Sequence, residues 1–197
     1  MAADLDATVA AARACTLCAD HLPLGPRPVL RARATARLLI VGQAPGTRVH
    51  ATGLPWTDAS GDRLRQWMAV DRATFYDDAR IAIIPMGLCY PGRLPRGGDA
   101  PPRPECAPTW HPPLLAGLPD LALTLLIGQY AQARYLGGRR AATMTETVRG
   151  FAAPLADGGL LPLPHPSWRN TAWLRRNPWF EAELLPVLRA RVHALLG

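Results

Sequence analysis

Residues 36–46 read ARLLIVGQAPG: a short, largely apolar run from Ala36 to Val41 that breaks at once into Gly42-Gln43-Ala44-Pro45-Gly46. The run is too short for a stable helix. Apolar residues on successive positions suit a strand buried on both faces. Three further runs share this character: Arg80 to Ile84 (RIAII), Leu121 to Ile127 (LALTLLI) and Gly159 to Leu163 (GLLPL). Pro162 inside the last one predicts an edge strand, because proline lacks the N–H that a central ladder needs.

Helical patterns lie between the runs. Asp58 and Ser60 precede Leu64, Trp67 and Met68 in a predicted helix over Asp58 to Val70. Pro112 to Leu118 and Gln129 to Leu136 are shorter candidates. Met1 to Ala14 reads as an amphipathic helix. In the tail, Pro178 to Leu196, residues Phe180, Leu184, Leu188, Val192 and Leu195 fall near one face, and Pro186 marks a kink or the true start. Strand and helix alternate throughout. The expectation is an α/β chain whose residues 1–197 form a single three-layer α/β/α domain around a central four-stranded, mainly parallel sheet.

Open parallel sheets bind ligands beyond the carboxyl ends of their strands. The segments that follow the four runs are therefore predicted to line one rim. They are the Gly42–Gly46 turn, Pro85-Met86-Gly87-Leu88-Cys89, Gly128-Gln129-Tyr130 and Pro164-His165-Pro166-Ser167. The third reads as ordinary punctuation. The first and last concentrate unusual residues.

Composition narrows the chemistry. The formal net charge is +7, and all 22 cationic residues are arginine. Without lysine, no Schiff base can form on a side-chain amine. An arginine-only basic surface suits bidentate contacts to phosphate. With 49% apolar and 19% charged residues, the chain is not of the disordered class. The N-terminus lacks a basic n-region, and no apolar run approaches the roughly 20 residues of a membrane span. A cytoplasmic monomer is expected, with its four cysteines reduced or metal-bound rather than paired.

The ordered set GQAPG, Gly53-x-Pro55-Trp56 and His165-Pro166-Ser167 resembles the uracil-DNA glycosylase superfamily, and most of all its iron–sulfur, family-four-type enzymes. Within the superfamily the chain looks most like a bacterial branch with GQAPG, CYPG and HPS-x-RN motifs. The resemblance runs from Cys15 to the terminal helix. It implies an enzyme of base-excision repair that flips a damaged base, uracil or a related deaminated base, out of DNA and hydrolyses its N-glycosidic bond. In that reading Gln43 and His165 are catalytic. Gln43 orients water or base, and His165 donates to the base oxygen as charge develops. Gly42, Ala44, Pro45, Gly46 and Ser167 contact the substrate, and the flipped base stacks on Trp56. Pro166, Arg169, Asn170 and Arg175 belong to a DNA strip in which basic and aromatic residues interleave, with Trp168, Trp173, Arg176 and Asn177.

The chain departs from the family-four pattern in two places. Thr47-Arg48-Val49-His50 holds no carboxylate where that pattern is acidic, which leaves His50 as its only group that titrates near neutral pH. Pro85 stands where the pattern has an asparagine that reads the uracil edge. The alternative expectation is therefore a non-catalytic module binding DNA or a modified nucleotide on the same fold. A third is an N-glycosidase acting on free nucleosides.

Cys15 and Cys18 form a C-x-x-C pair; Cys89 ends a strand run and Cys106 lies in the loop after it. Converging thiolates of this kind hold an iron–sulfur cluster or a structural zinc, or remain reduced without metal. The resemblance implies a 4Fe-4S cluster on these four cysteines. The loop from Pro91 to Pro113, with eight prolines in its 23 residues, would be closed by such a clamp. It also carries Arg93, Arg96 and Arg103 toward phosphates.

Overall fold

The computed structural model describes residues 4–197; the first three residues of the expected N-terminal helix lie outside them. In chain order the elements are α1 (Leu5–Arg13), β1 (Leu38–Val41), α2 (Thr47–Thr52), α3 (Ala59–Met68), α4 (Arg72–Phe75), β2 (Ile81–Ile83) and α5 (Cys106–Ala116). There follow β3 (Leu123–Ile127), α6 (Gln129–Leu136), α7 (Met144–Arg149), α8 (Ala152–Gly158), β4 (Leu160–Leu163), α9 (Thr171–Arg176) and α10 (Leu185–Leu196). The four strands form one all-parallel sheet in the order β2-β1-β3-β4. Pro162 sits on the edge strand β4, opposite Leu126.

Alternation along the strands builds two cores. Leu38, Ile40, Ile81, Ile83, Leu125, Ile127, Leu161 and Leu163 pack with Leu64, Trp67 and Met68 of α3 and Leu188 and Val192 of α10. Leu39, Val41, Ala82, Ile84 and Leu126 face the other way, onto Leu5 and Val9 of α1, Leu114 of α5 and Ala131 of α6. Helices on both faces make the three layers. Burying a strand side chain on either face removes about 1.5–3 kcal/mol worth of apolar surface from water, so both faces hold the sheet.

Several predicted elements shift. The helix expected over Pro112–Leu118 begins at Cys106, so Cys106 opens α5 rather than lying in a loop, and the proline-rich loop ends by Glu105. Pro112 and Pro113 are inside the helix. Burial of Ala107, His111 and Leu114 on the sheet side outweighs the hydrogen bonds those prolines lack. In the tail, one wide π-type turn over Phe180–Leu184 leads into α10, with Pro186 in its first turn. The wider turn accommodates the missing N–H of Pro186. Phe180, Leu184, Leu188 and Val192 are buried as expected, and Leu196 joins them while Leu195 is only partly covered.

Order 2-1-3-4 places the point where the connections diverge at the carboxyl ends of β1 and its neighbours, the position at which doubly wound sheets bind ligands.

Candidate active site

A cleft of about 720 Å³ opens at that rim. Gly42, Gln43, Ala44, Pro45 and Gly46 line it from β1, Pro85 from β2, and His165 and Ser167 from β4, together with Trp56, Trp168 and Arg169. The third strand end is absent from the lining. The Gly128 N–H instead donates to the Leu163 carbonyl (2.9 Å), which closes that part of the rim.

Trp56 takes a left-handed backbone conformation, φ 57°, which is rare for a bulky side chain and costs on the order of 1–3 kcal/mol. Its surroundings hold it there. Its carbonyl accepts from Arg65 Nη1 (3.1 Å) and from the Tyr76 hydroxyl (3.1 Å), which also reaches the Pro55 carbonyl (2.8 Å). Arg65 is buried, pairs with Asp62, and lies over the rings of Phe75 and Tyr76. Two glycines make room. A Cβ on Gly61 would stand 1.8 Å from the Trp56 carbonyl oxygen, and one on Gly42 would stand 2.9 Å from the indole ring. The indole therefore lies on the backbone of the GQAPG turn. Its centroid is 5.6 Å from the His165 ring, at 31°. The two rings form one wall.

His165 is partly buried. Desolvation lowers its pKa, opposed by the Asp58 carboxylate nearby, so the ring is neutral at neutral pH. Its backbone carbonyl accepts from Asn170 Nδ2 (2.7 Å). Asn170 thus spends its amide inside the loop. Ser167 contributes its carbonyl to Arg63 Nη1 (3.0 Å). Pro166 is buried, and neither it nor Asn170 lines the cleft; Arg175, exposed on α9, also stands outside the lining. Arg169 reaches across the mouth and covers Gly97 and Gly98.

Gln43 donates from Nε2 to the Ala100 carbonyl (3.0 Å), which leaves its amide oxygen as the acceptor. The segment it grips is the proline-rich loop. Arg93 and Asp99 bridge as a short antiparallel pair, and the Leu94 N–H donates to Gly98. Arg93, Leu94 and Asp99 line the cleft; Arg96 and Arg103 do not. Two carboxylates therefore enter the site from outside the motif stretch. Asp58 caps α3, accepting from the Gly61 N–H (3.0 Å). Asp99 stands with Oδ2 3.6 Å from where a Gly46 Cβ would be. Asp99 is exposed at its loop, and only partial desolvation of the carboxyl lifts its pKa above the ordinary value, against the pull of Arg93 and Arg169. Sequence reading missed Asp99 because its loop has no periodicity to place it. Asp58 was visible only as a helix cap. His50 sits on α2 with its ring toward Tyr90 and does not line the cleft, so it supplies no base there.

Pro85 presents its carbonyl to a buried partner. His111 Nε2 lies 3.0 Å from that oxygen and Nδ1 lies 2.7 Å from the Tyr135 hydroxyl. A carbonyl only accepts, so Nε2 carries the proton and Nδ1 accepts from tyrosine. Burial pushes the His111 pKa down to about 4 and that of Tyr135 up to about 12.

Cys15, Cys18, Cys89 and Cys106 all line one small, separate cavity with Leu17, Leu22, Pro26, Pro28, Arg103 and Trp110. None is in a disulfide. Burial raises the thiol pKa of Cys18, Cys89 and Cys106, the last to about 11. The Leu88 N–H donates to Cys106 Sγ (3.3 Å). Arg103 Nε and Trp110 Nε1, both on cavity-lining residues, are buried donors without a partner among the described residues. Also among the described residues, no three His, Cys, Asp or Glu side chains converge as a single-ion site, and no helix is long and apolar enough to cross a membrane.

The family described as the uracil DNA glycosylase superfamily matches residues 31–189, a span that holds all four strands and the cleft-lining residues other than Val29 but starts after Cys15 and Cys18.

Proposed function

Because this chain belongs to the uracil-DNA glycosylase superfamily, we propose that its cleft receives one damaged nucleobase turned out of DNA and hydrolyses the bond joining it to deoxyribose. The observation that carries this reading is the meeting of Gly42–Gly46 with His165 and Ser167 at one cleft, with Trp56 against Gly42 and His165. Bond cleavage puts negative charge on the leaving base and positive charge on the sugar. Neutral His165 donates a ring N–H toward the base oxygen as that charge grows, and removing such a donor costs about 10²–10³ in rate. The half-buried Trp56 indole lines the cleft wall and offers a base stacking worth roughly 1–3 kcal/mol. Arg48, Arg93 and Arg169 at the cleft meet phosphates.

At the second cavity we propose a 4Fe-4S cluster held by Cys15, Cys18, Cys89 and Cys106. Support comes from the four thiols lining one small cavity, from the two orphaned donors on its walls, and from the resemblance of the cysteine spacing to the family-four pattern. A zinc ion draws its ligands to about 2.3 Å around one point, whereas a cluster spreads its thiolates more widely and offers sulfides that accept hydrogen bonds. Bound there, it would serve as a structural clamp.

The test is incubation with oligonucleotides carrying uracil, hypoxanthine or xanthine, single- and double-stranded. Abasic product is expected from at least one, with His165→Ala slowing it about 100-fold or more while the fold persists. Gln43 in place of an acid, and Pro85 at the edge-reading position, favour the rival reading of a binding module. Salt-dependent DNA binding with no product from any base would select that reading.

A further inference from the structure

We propose that Asp99 is the carboxylate that activates water and faces the sugar cation in this cleft, taking over a duty that the GQAPG turn cannot perform. The inference rests on the glycosidic reading above and adds a residue from a different part of the chain. The turn itself offers Gln43, whose amide cannot act as a strong base and is tied to Ala100. The stretch after it, Thr47 to His50, has no acid. Two carboxylates line the cleft. Asp58 is already engaged, with one oxygen on the α3 N-terminus. The Asp99 carboxylate has no hydrogen bond or ion pair within contact distance among the described residues; Arg93 and Arg169 lie near enough to act on it only through their charge, and its oxygens can accept from water.

Its position suits the task. Oδ2 lies beside Gly46, at the far end of the turn from the Trp56 and His165 wall, so the carboxylate and the base-holding groups take different parts of one cleft. The Gln43–Ala100 hydrogen bond holds the residue next to Asp99 against the turn. On the other side Arg169 covers Gly98, the residue before it.

The step balances. The C1′–N bond breaks first, and a water oxygen then bonds to the sugar C1′. The electron pair leaves with the base, whose charge His165 meets by hydrogen bonding. The water proton passes to Asp99 and from there to solvent. Before the water adds, the sugar carries positive charge, and an anion at Asp99 stabilises it.

Equilibrium binding tests this without knowledge of the target base. Two duplexes are compared at neutral pH, one with a cationic pyrrolidine in place of a deoxyribose and one with neutral tetrahydrofuran. The wild-type chain is expected to prefer the pyrrolidine by about tenfold or more. Asp99→Asn should bring the ratio close to one, and Asp157→Asn, an exposed acid on α8, should leave it unchanged. Circular dichroism confirms that each variant is folded. An unchanged ratio in Asp99→Asn, or no preference in the wild type, overturns the assignment. The base-excision reading fails on a separate result, the absence of abasic product across the lesion panel.

Discussion

At His111 a single imidazole decides where the Pro85 carbonyl points. Its Nε2–H must donate there and its Nδ1 must accept from Tyr135, so only the neutral ring in one tautomer satisfies both. The folded-state pKa of about 4 lies below the unfolded value near 6.5. Between those values the unfolded chain binds the extra proton, so this group's contribution is full above about pH 6.5 and is lost as pH falls toward 4. The loss is on the order of 3 kcal/mol, and His165, shifted in the same direction, adds to it. Urea unfolding at pH 7, 6 and 5 should show stability falling with acid, and His111→Asn should be weaker at pH 7 but flatter across the series. Parallel curves for the two proteins would refute the assignment. None of this pairing was legible in the sequence, because His111 meets Pro85 and Tyr135 only after the chain has folded. Asp99 was hidden for the same reason. Gln43 and His165 were legible as Gly- and Pro-flanked positions after strand runs and Trp56 as a residue after the Gly53–Pro55 turn, while their roles came from the superfamily resemblance.

Among the elements, the strands were the easiest to read. Being buried on both faces, each is apolar at successive positions, and every predicted run contains its strand. The helices α2, α4, α7, α8 and α9 span four to seven residues and carry no full apolar stripe. Their stability comes from caps, such as the Thr143–Glu146 capping box of α7, and from packing. The first turn of α5 was concealed by its prolines. Helix α3 shows how an element serves the site, since Gly61 lets it pass directly under the Trp56 carbonyl. Gly61→Ala should displace that carbonyl from Arg65 and Tyr76, with a cost on the order of 2–3 kcal/mol. Chemical denaturation gives the stability, and Trp56-sensitive fluorescence reports the ring. A variant within about 0.5 kcal/mol of wild type, with unchanged emission, would show that the helix gives way instead.

At the level of the whole molecule, the cysteine cavity joins distant parts of the chain: the segment after α1, the loop beyond β2, where Cys89 lies rather than ending a strand, and the start of α5. A group bound there stabilises the fold by linkage, because the unfolded chain has no assembled site. Purified protein should be brown, with a broad band near ~400 nm. Cys18→Ser should lose the colour and several degrees of Tm, at about 2–4 °C per kcal/mol for a chain of this size. A colourless wild type with one equivalent of zinc would replace the cluster assignment.

The loop that carries Asp99 has a cavity-lining thiol at either end, Cys89 before it and Cys106 after it, and is stapled to Gln43 at its middle. It behaves like a bridge whose abutments stand in one chamber and whose span crosses another. An oxidant that eroded the abutments would slacken the span. Under the proposed function, damage to sulfur would then reach the cleft through this loop.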